Sequence, residues 1–228
     1  MENQNDTVNN WTNENNKLFY ESVSPELMHE HAISEGLEFC YDVDQIMQYL
    51  APHHSILEVG AGYGRVVAYL RSHGFRSIST IERSVKCCRW LEELYRSKID
   101  LFFTNDLRKF TAFAEECAFY AALWMWDGIT EFAKEEQHKV LEIVVSSLKR
   151  KGKLFVDVLS TSQNQDQAVS SSDQHHVISV GDNSIYRYYP TEQEIRSYCQ
   201  IPIVQDVEVK EYETFTGKKR SLYTITAF

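Results

Sequence analysis

The stretch Ser55-Ile56-Leu57-Glu58-Val59-Gly60-Ala61-Gly62-Tyr63-Gly64-Arg65 constrains this chain more than any other. It reads as a buried strand ending in a carboxylate, followed by a glycine-rich turn that opens a helix. Glycine lets the backbone adopt positive φ and pass close to a ligand, and the first N–H groups of the helix beyond have no intrahelical partner. Such a turn grips nucleotide-type ligands, although a tight strand-to-helix turn alone could also require the glycines. A dinucleotide loop places glycines at relative positions one, three and six. Counted from Gly60 the sixth place is Arg65, and the third glycine arrives one residue early at Gly64, which disfavours NAD.

Two further acids stand where strand ends are expected. Residues 76–81 read as a second strand with Glu82 at its tip, where a carboxylate can accept from both vicinal hydroxyls of a ribose. Residues 100–103 read as a third strand leading into Thr104-Asn105-Asp106-Leu107. There Asn105 or Asp106 can also cap a helical turn.

An acid two places before a Gly-x-Gly-x-Gly turn, with acids following the next two strands, resembles the class I S-adenosylmethionine-dependent methyltransferases. The resemblance runs from the helix before Ser55 to Phe228. It implies an α/β fold: a three-layer α/β/α sandwich whose mostly parallel seven-stranded sheet ends in an antiparallel strand pair. It implies S-adenosylmethionine as cofactor and S-adenosylhomocysteine as product. Glu58 would serve the methionine ammonium, with Gly60, Ala61 and Gly62 as the backbone cradle. Glu82, with Arg83 beside it, would take the ribose. Asp106 would meet the adenine amino group, and the Leu107 N–H would face the ring.

Periodicity supports the same organisation. Apolar residues at helical spacing occur over 43–50, 66–70, 85–95 and 132–148, and continuous apolar runs over 120–124 and 153–159 suit strands buried on both faces. Lys149-Arg150-Lys151-Gly152 reads as a basic last helical turn with a glycine stop. Thr191 and Glu194 form a capping-box pattern after Tyr189-Pro190. Residues 204–214 and 221–228 read as a terminal strand pair around a charged turn containing Gly217.

The length of 228 residues suits a single α/β domain over 17–228. Within it we expect a helical cap over 17–54, a cofactor-binding core over 55–159, an insertion or lid over 160–190, and a C-terminal helix and strand pair over 191–228. Residues 1–16 hold seven asparagines and one large apolar side chain, Trp11, and read as a flexible tail. Five cysteines without metal-ligand spacing indicate neither a disulfide framework nor a zinc site. Reduced thiols, a cytoplasmic location, no metal and no membrane segment are the expectations. The net charge of −10 argues against nucleic acid, whose binding draws on a basic face. The signature of enzymes that methylate amino groups of nucleic-acid bases is also absent after the fourth strand.

In its place stands Leu123-Trp124-Met125-Trp126-Asp127-Gly128-Ile129-Thr130. Aromatic faces suit a cationic methyl donor or an amine acceptor. Trp124, nearer the strand end, is the cofactor candidate and Trp126 the substrate candidate; packing alone would also explain the latter. Asp127 is the candidate for orienting or deprotonating an acceptor, or else forms a turn with Gly128. Tyr20, from the helix that would fold over the cofactor, is the second catalytic candidate. Arg187 and Tyr189 could line an acceptor pocket or lie on an exposed strand. The reading is methyl transfer to a small polar metabolite, with oligomeric state unassigned. Alternatives are a protein methyltransferase or a non-catalytic S-adenosylmethionine-binding scaffold or sensor.

Overall fold

The computed structural model describes residues 14–104, 106–110, 119–160, 175–180 and 183–228. Trp11, Asn105 and most of the expected lid lie outside them. The helices are α1 (described over 14–22), α2 (Pro25–Ser34), α3 (Tyr41–Asp44), α4 (Arg65–Ser72), α5 (Val85–Tyr95), α6 (Lys134–Ser146) and α7 (Glu192–Tyr198). The strands are β1 (Ile56–Val59), β2 (Ile78–Glu82), β3 (Leu101–Thr104), β4 (Phe119–Trp124), β5 (Leu148–Leu159), β6 (His175–Val180), β7 (Asn183–Tyr188), β8 (Val204–Glu213) and β9 (Lys219–Ala227).

Seven strands form one sheet in the order β3-β2-β1-β4-β5-β9-β8, with β9 antiparallel to both of its neighbours. Alternate side chains of each strand point to opposite faces. Leu57, Ala122, Leu154, Val156 and Ile225 pack with Val140, Leu141 and Val144 of α6 and Ile195 of α7. On the other face Ile56, Ala121, Leu123 and Phe155 pack with Val43 of α3 and with Val66, Val67 and Leu70 of α4. The three-layer α/β/α sandwich with its mostly parallel seven-stranded sheet is therefore present. The chain runs outward from β1 through β2 to β3 and then returns beside β1 as β4, which opens a crevice beyond the carboxyl ends of β1 and β4.

Several boundaries move. Residues 43–50 make only the four-residue α3 and a separate 3-10 turn, Met47–Tyr49. The basic run 149–152 belongs to β5, where pairing with β4 shifts register and Lys151 takes φ +61°. Gly152 sits where a Cβ would lie 2.8 Å from the Lys149 carbonyl oxygen, so close backbone approach explains it. The capping box forms as expected: Glu194 N–H donates to Thr191 Oγ1 at 3.2 Å and Thr191 N–H to Glu194 Oε2 at 2.9 Å.

Within the expected insertion, β6 and β7 form an antiparallel hairpin apart from the main sheet. Its inner strand is buried at Ile185, Arg187 and Tyr188, which removes the exposed-strand alternative. Two buried side-chain amides satisfy its backbone. Asn16 both donates to the Tyr186 carbonyl at 2.7 Å and accepts from the Tyr186 N–H at 2.9 Å, and Gln137 donates to the Tyr188 carbonyl at 2.9 Å. Asn15 and Asn16 thus belong to α1, not to the tail expected over 1–16. Among the described residues no helix is long and apolar enough to cross a membrane.

Candidate active site

The crevice is floored by the glycine turn and walled by the ends of β2 and β4, by α1 and α2, and by β7. Gly60, Gly62 and Gly64 all have positive φ, at 72°, 55° and 88°. They are not equivalent. A Cβ on Gly64 would lie 2.7 Å from Tyr95 and 2.8 Å from Leu91 of α5, so its role is helix packing, whereas a Cβ on Gly60 would meet nothing within 4 Å. Gly60 N–H donates to the Ile81 carbonyl at 2.8 Å and Gly62 N–H to Glu82 Oε2 at 2.8 Å, which fastens the turn to β2.

Glu58 is buried and lines the cleft, and its Oε2 has no hydrogen-bond partner. Burial pushes its carboxyl up to about 8; Arg65 opposes this, while Glu82 and Asp42 add to it. Glu82 accepts from Gly62 N–H and, at 2.7 Å, from Ser84 N–H, and burial raises its pKa against those two bonds. A carboxylate offers about four acceptor sites, so about two remain toward the cleft. Ala61, Arg83, Leu107 and Trp124 line the same space. Trp124 is held edge-on to Phe132 and presses on Gly128, where a Cβ would lie 2.5 Å from its indole.

Two candidate acids lie outside the cleft lining. Asp106 does not line the cleft; it caps a 3-10 turn, accepting from Arg108 N–H at 3.0 Å and from Arg108 Nε at 2.9 Å, and it is ion-paired with the same guanidinium, which holds its pKa down against burial. Capping is one of the two roles the sequence allows this residue, and the two are compatible. Asp127 does not line the cleft either. Its Oδ1 accepts from Leu159 N–H at 2.7 Å and Arg220 Nη2 at 2.9 Å, and its Oδ2 accepts from Arg187 Nη1 at 3.3 Å. Arg220 in turn forks onto Asp157 at 2.9 and 3.1 Å, and Tyr212 donates to Asp157 at 2.7 Å. An aspartate bonded on both oxygens inside this buried network holds β4, β5, β7 and β9 together.

The remaining candidates come together. Tyr20 lines the cleft and donates to Glu131 Oε1, and burial, followed by the Glu131 charge, raises its pKa well above the usual tyrosine value, so it stays a phenol. Glu131 also pairs with Arg83 at 3.4 Å. Trp126 and Arg187 line the cleft, while Tyr189 stands behind Arg187 and accepts from its Nη1 at 3.3 Å. Sequence reasoning missed Arg65 and Glu131. Arg65 lines the cleft while forking onto buried Asp42 with two bonds of 2.7 Å. Glu131 carries no local signal, because its partner Tyr20 lies 111 residues away.

This is the class I S-adenosylmethionine-dependent methyltransferase fold. The sequence matches no family model and no curated protein. Solved structures match instead. A SAM-dependent methyltransferase from Methanosarcina mazei is 19% identical with TM-score 0.62, covering 80% of this chain and 95% of its own. Magnesium protoporphyrin IX methyltransferase from Synechocystis, with bound SAM, is 12% identical with TM-score 0.62, covering 99% and 98%. A SAM-bound amino pentose methyltransferase from Micromonospora echinaspora is 14% identical with TM-score 0.60, covering 86% and 95%.

Proposed function

We propose that the protein is an S-adenosylmethionine-dependent methyltransferase acting on a small polar metabolite. The observation that carries this reading is the buried, unpartnered Glu58 Oε2 beside a glycine turn open at Gly60. A buried acceptor without a donor is costly, and a ligand ammonium would satisfy it. The other residues fit the rest of the cofactor. Gly60, Ala61 and Gly62 would lie against its methionine portion, Glu82 with Arg83 beside it would take the ribose, Leu107 would flank the adenine, and Trp124 would face the sulfonium end. When bound, the cofactor supplies an electrophilic methyl: the acceptor lone pair bonds to its carbon as the carbon–sulfur pair returns to sulfur, leaving a neutral thioether.

With Asp127 locked and Tyr20 held as a phenol, the chain contributes alignment and exclusion of water, and the acceptor arrives already nucleophilic. Small acceptors are favoured by the enclosure from α1, α2 and β7, and two structural neighbours are methyltransferases of a porphyrin and an amino pentose. The test is incubation with methyl-labelled S-adenosylmethionine and a cell extract. Label is expected in the small-molecule fraction and lost in Glu58→Gln; label confined to macromolecules would sink the metabolite reading. Tight cofactor binding without label would favour the scaffold.

Glu58 adds a pH signature. Because burial raises its folded pKa to about 8, the empty protein loses stability as pH rises from the ordinary glutamate value toward about 8, by about 1.4 kcal/mol per unit. Pairing with an ammonium ionises the carboxyl, so S-adenosylhomocysteine affinity is expected to rise with pH up to about 8, with release of about one proton near pH 7. Calorimetry in buffers of different ionisation enthalpy measures that proton, and Glu58→Gln should abolish it.

A further inference from the structure

Among the described residues three buried cleft-wall groups that can donate have no partner: the Tyr63 hydroxyl, which can also accept, and two donor-only groups, Arg187 Nε and Trp126 Nε1. The two donor-only groups stand at one end of the cleft although they lie 61 positions apart in the chain, because the residue after Trp126 is Asp127, which holds the Arg187 guanidinium at 3.3 Å. The indole is fixed by its backbone N–H, which donates to Asp157 Oδ2 at 3.2 Å, and its ring lies 5.5 Å from that of His31. Trp126 and Asp127 both adopt the left-handed region, with φ 51° and 63°. Non-glycine residues adopt it at a cost, so the surrounding bonds hold the loop in a strained arrangement that presents the indole to the cleft.

Resting on the reading of this cleft as a methyltransferase site, we propose that Arg187 and Trp126 form the acceptor subsite and that the acceptor carries a carboxylate. Both arginines of the network keep an unpartnered nitrogen, Arg220 Nη1 and Arg187 Nε, but only Arg187 lines the cleft. Arg220 forks onto Asp157 and also reaches Asp127, whereas Arg187 has one long contact to Asp127 and one to the Tyr189 hydroxyl. An indole N–H and a guanidinium Nε–H can only donate, so the complementary group accepts, the guanidinium charge favours an oxyanion over a neutral carbonyl or hydroxyl, and an ammonium is excluded from this end. The local charge chooses among oxyanions. Arg187 and Arg220 balance Asp127 and Asp157, and Arg83 balances Glu131, so a bound carboxylate leaves one net negative charge while a phosphate dianion would leave two in a buried site. Burial and the charge of Arg187 lower the His31 pKa, with Glu35 opposing, so His31 adds no cation at neutral pH.

The experiment follows the Arg187 Nε–H and Trp126 indole N–H resonances of the 15N-labelled full chain, assigned through Arg187→Gln and Trp126→Phe. Acetate, acetamide and inorganic phosphate are titrated with and without S-adenosylhomocysteine. Acetate should move both resonances saturably and acetamide should not, with phosphate at least about tenfold weaker. In Arg187→Gln the indole response should weaken by about tenfold or more, the effect of losing a bond to a charged partner. If that variant does not fold, Trp126→Phe should weaken the Arg187 response in the same way. No shift with acetate, equal shifts with acetamide, or tighter phosphate would overturn the proposal. An acetate response in a chain that does not bind S-adenosylhomocysteine would sink the cofactor reading and leave the subsite standing.

Discussion

Glu82→Ala is expected to weaken S-adenosylhomocysteine binding by about 100-fold or more and to lower the unfolding free energy by about 2–4 kcal/mol. One side chain carries both effects. Its carboxylate accepts from Gly62 N–H at 2.8 Å and from Ser84 N–H at 2.7 Å. Gly62 belongs to the cofactor turn, and Ser84 caps α5 by accepting from Cys87 N–H at 3.2 Å. Truncation strands two buried donors and releases the turn and the helix start together, while the acceptors assigned to the ribose are lost. Glu82→Gln separates the contributions: the amide preserves shape but offers one acceptor oxygen and one donor group, so stability should recover in part and affinity should not. Urea unfolding and calorimetric titration read the two quantities, and wild-type affinity in Glu82→Ala would remove the ribose assignment.

Arg220→Met should be the most destabilising single change in the buried network, costing about 3–5 kcal/mol and lowering Tm by about 6–20 °C. Arg220 is fully buried on β9 and bonds Asp157 of β5 and Asp127 after β4. Removing it leaves two carboxylates facing each other, with the Tyr212 hydroxyl at 2.7 Å and Arg187 as remaining side-chain partners beside the backbone N–H groups of Leu159 and Trp126. Because the same charges hold Arg187 and the backbone of Trp126, the acetate response should fall as well. Replacing Asp157 together with Arg220, by Leu and Met, should recover part of the loss, since removing both partners of a buried pair costs less than removing one. Calorimetric unfolding of the single and double variants measures the difference; equal stability of wild type and Arg220→Met would refute the coupling.

Much of the fold was legible because its signals are local. The boundaries of α5 and the capping box at Thr191 follow from apolar spacing and from one side chain reaching a nearby N–H. The hairpin β6–β7 was not legible, because its edge is completed by the amides of Asn16 and Gln137, which are 170 and 51 residues from the backbone groups they bond. Asp127 was misjudged for the same reason: a carboxylate in a turn reads alike whether it faces a ligand or two distant arginines. At Asp106 a capping acid and an adenine-facing acid share one sequence pattern, and the structure shows the cap.

The sequence by itself determined the alternation of strands and helices, the glycine turn and the acids Glu58 and Glu82 at strand ends, since these depend on backbone freedom and on periodicity within a few residues. Only the tertiary structure decided which charges are spent. It paired Asp127 with Arg187 and Arg220, 60 and 93 residues away, and left Glu58, Arg187 and Trp126 with unsatisfied atoms in the cleft. Whether a polar group has a partner depends on what the whole chain brings within about 3 Å of it, and no local pattern encodes that.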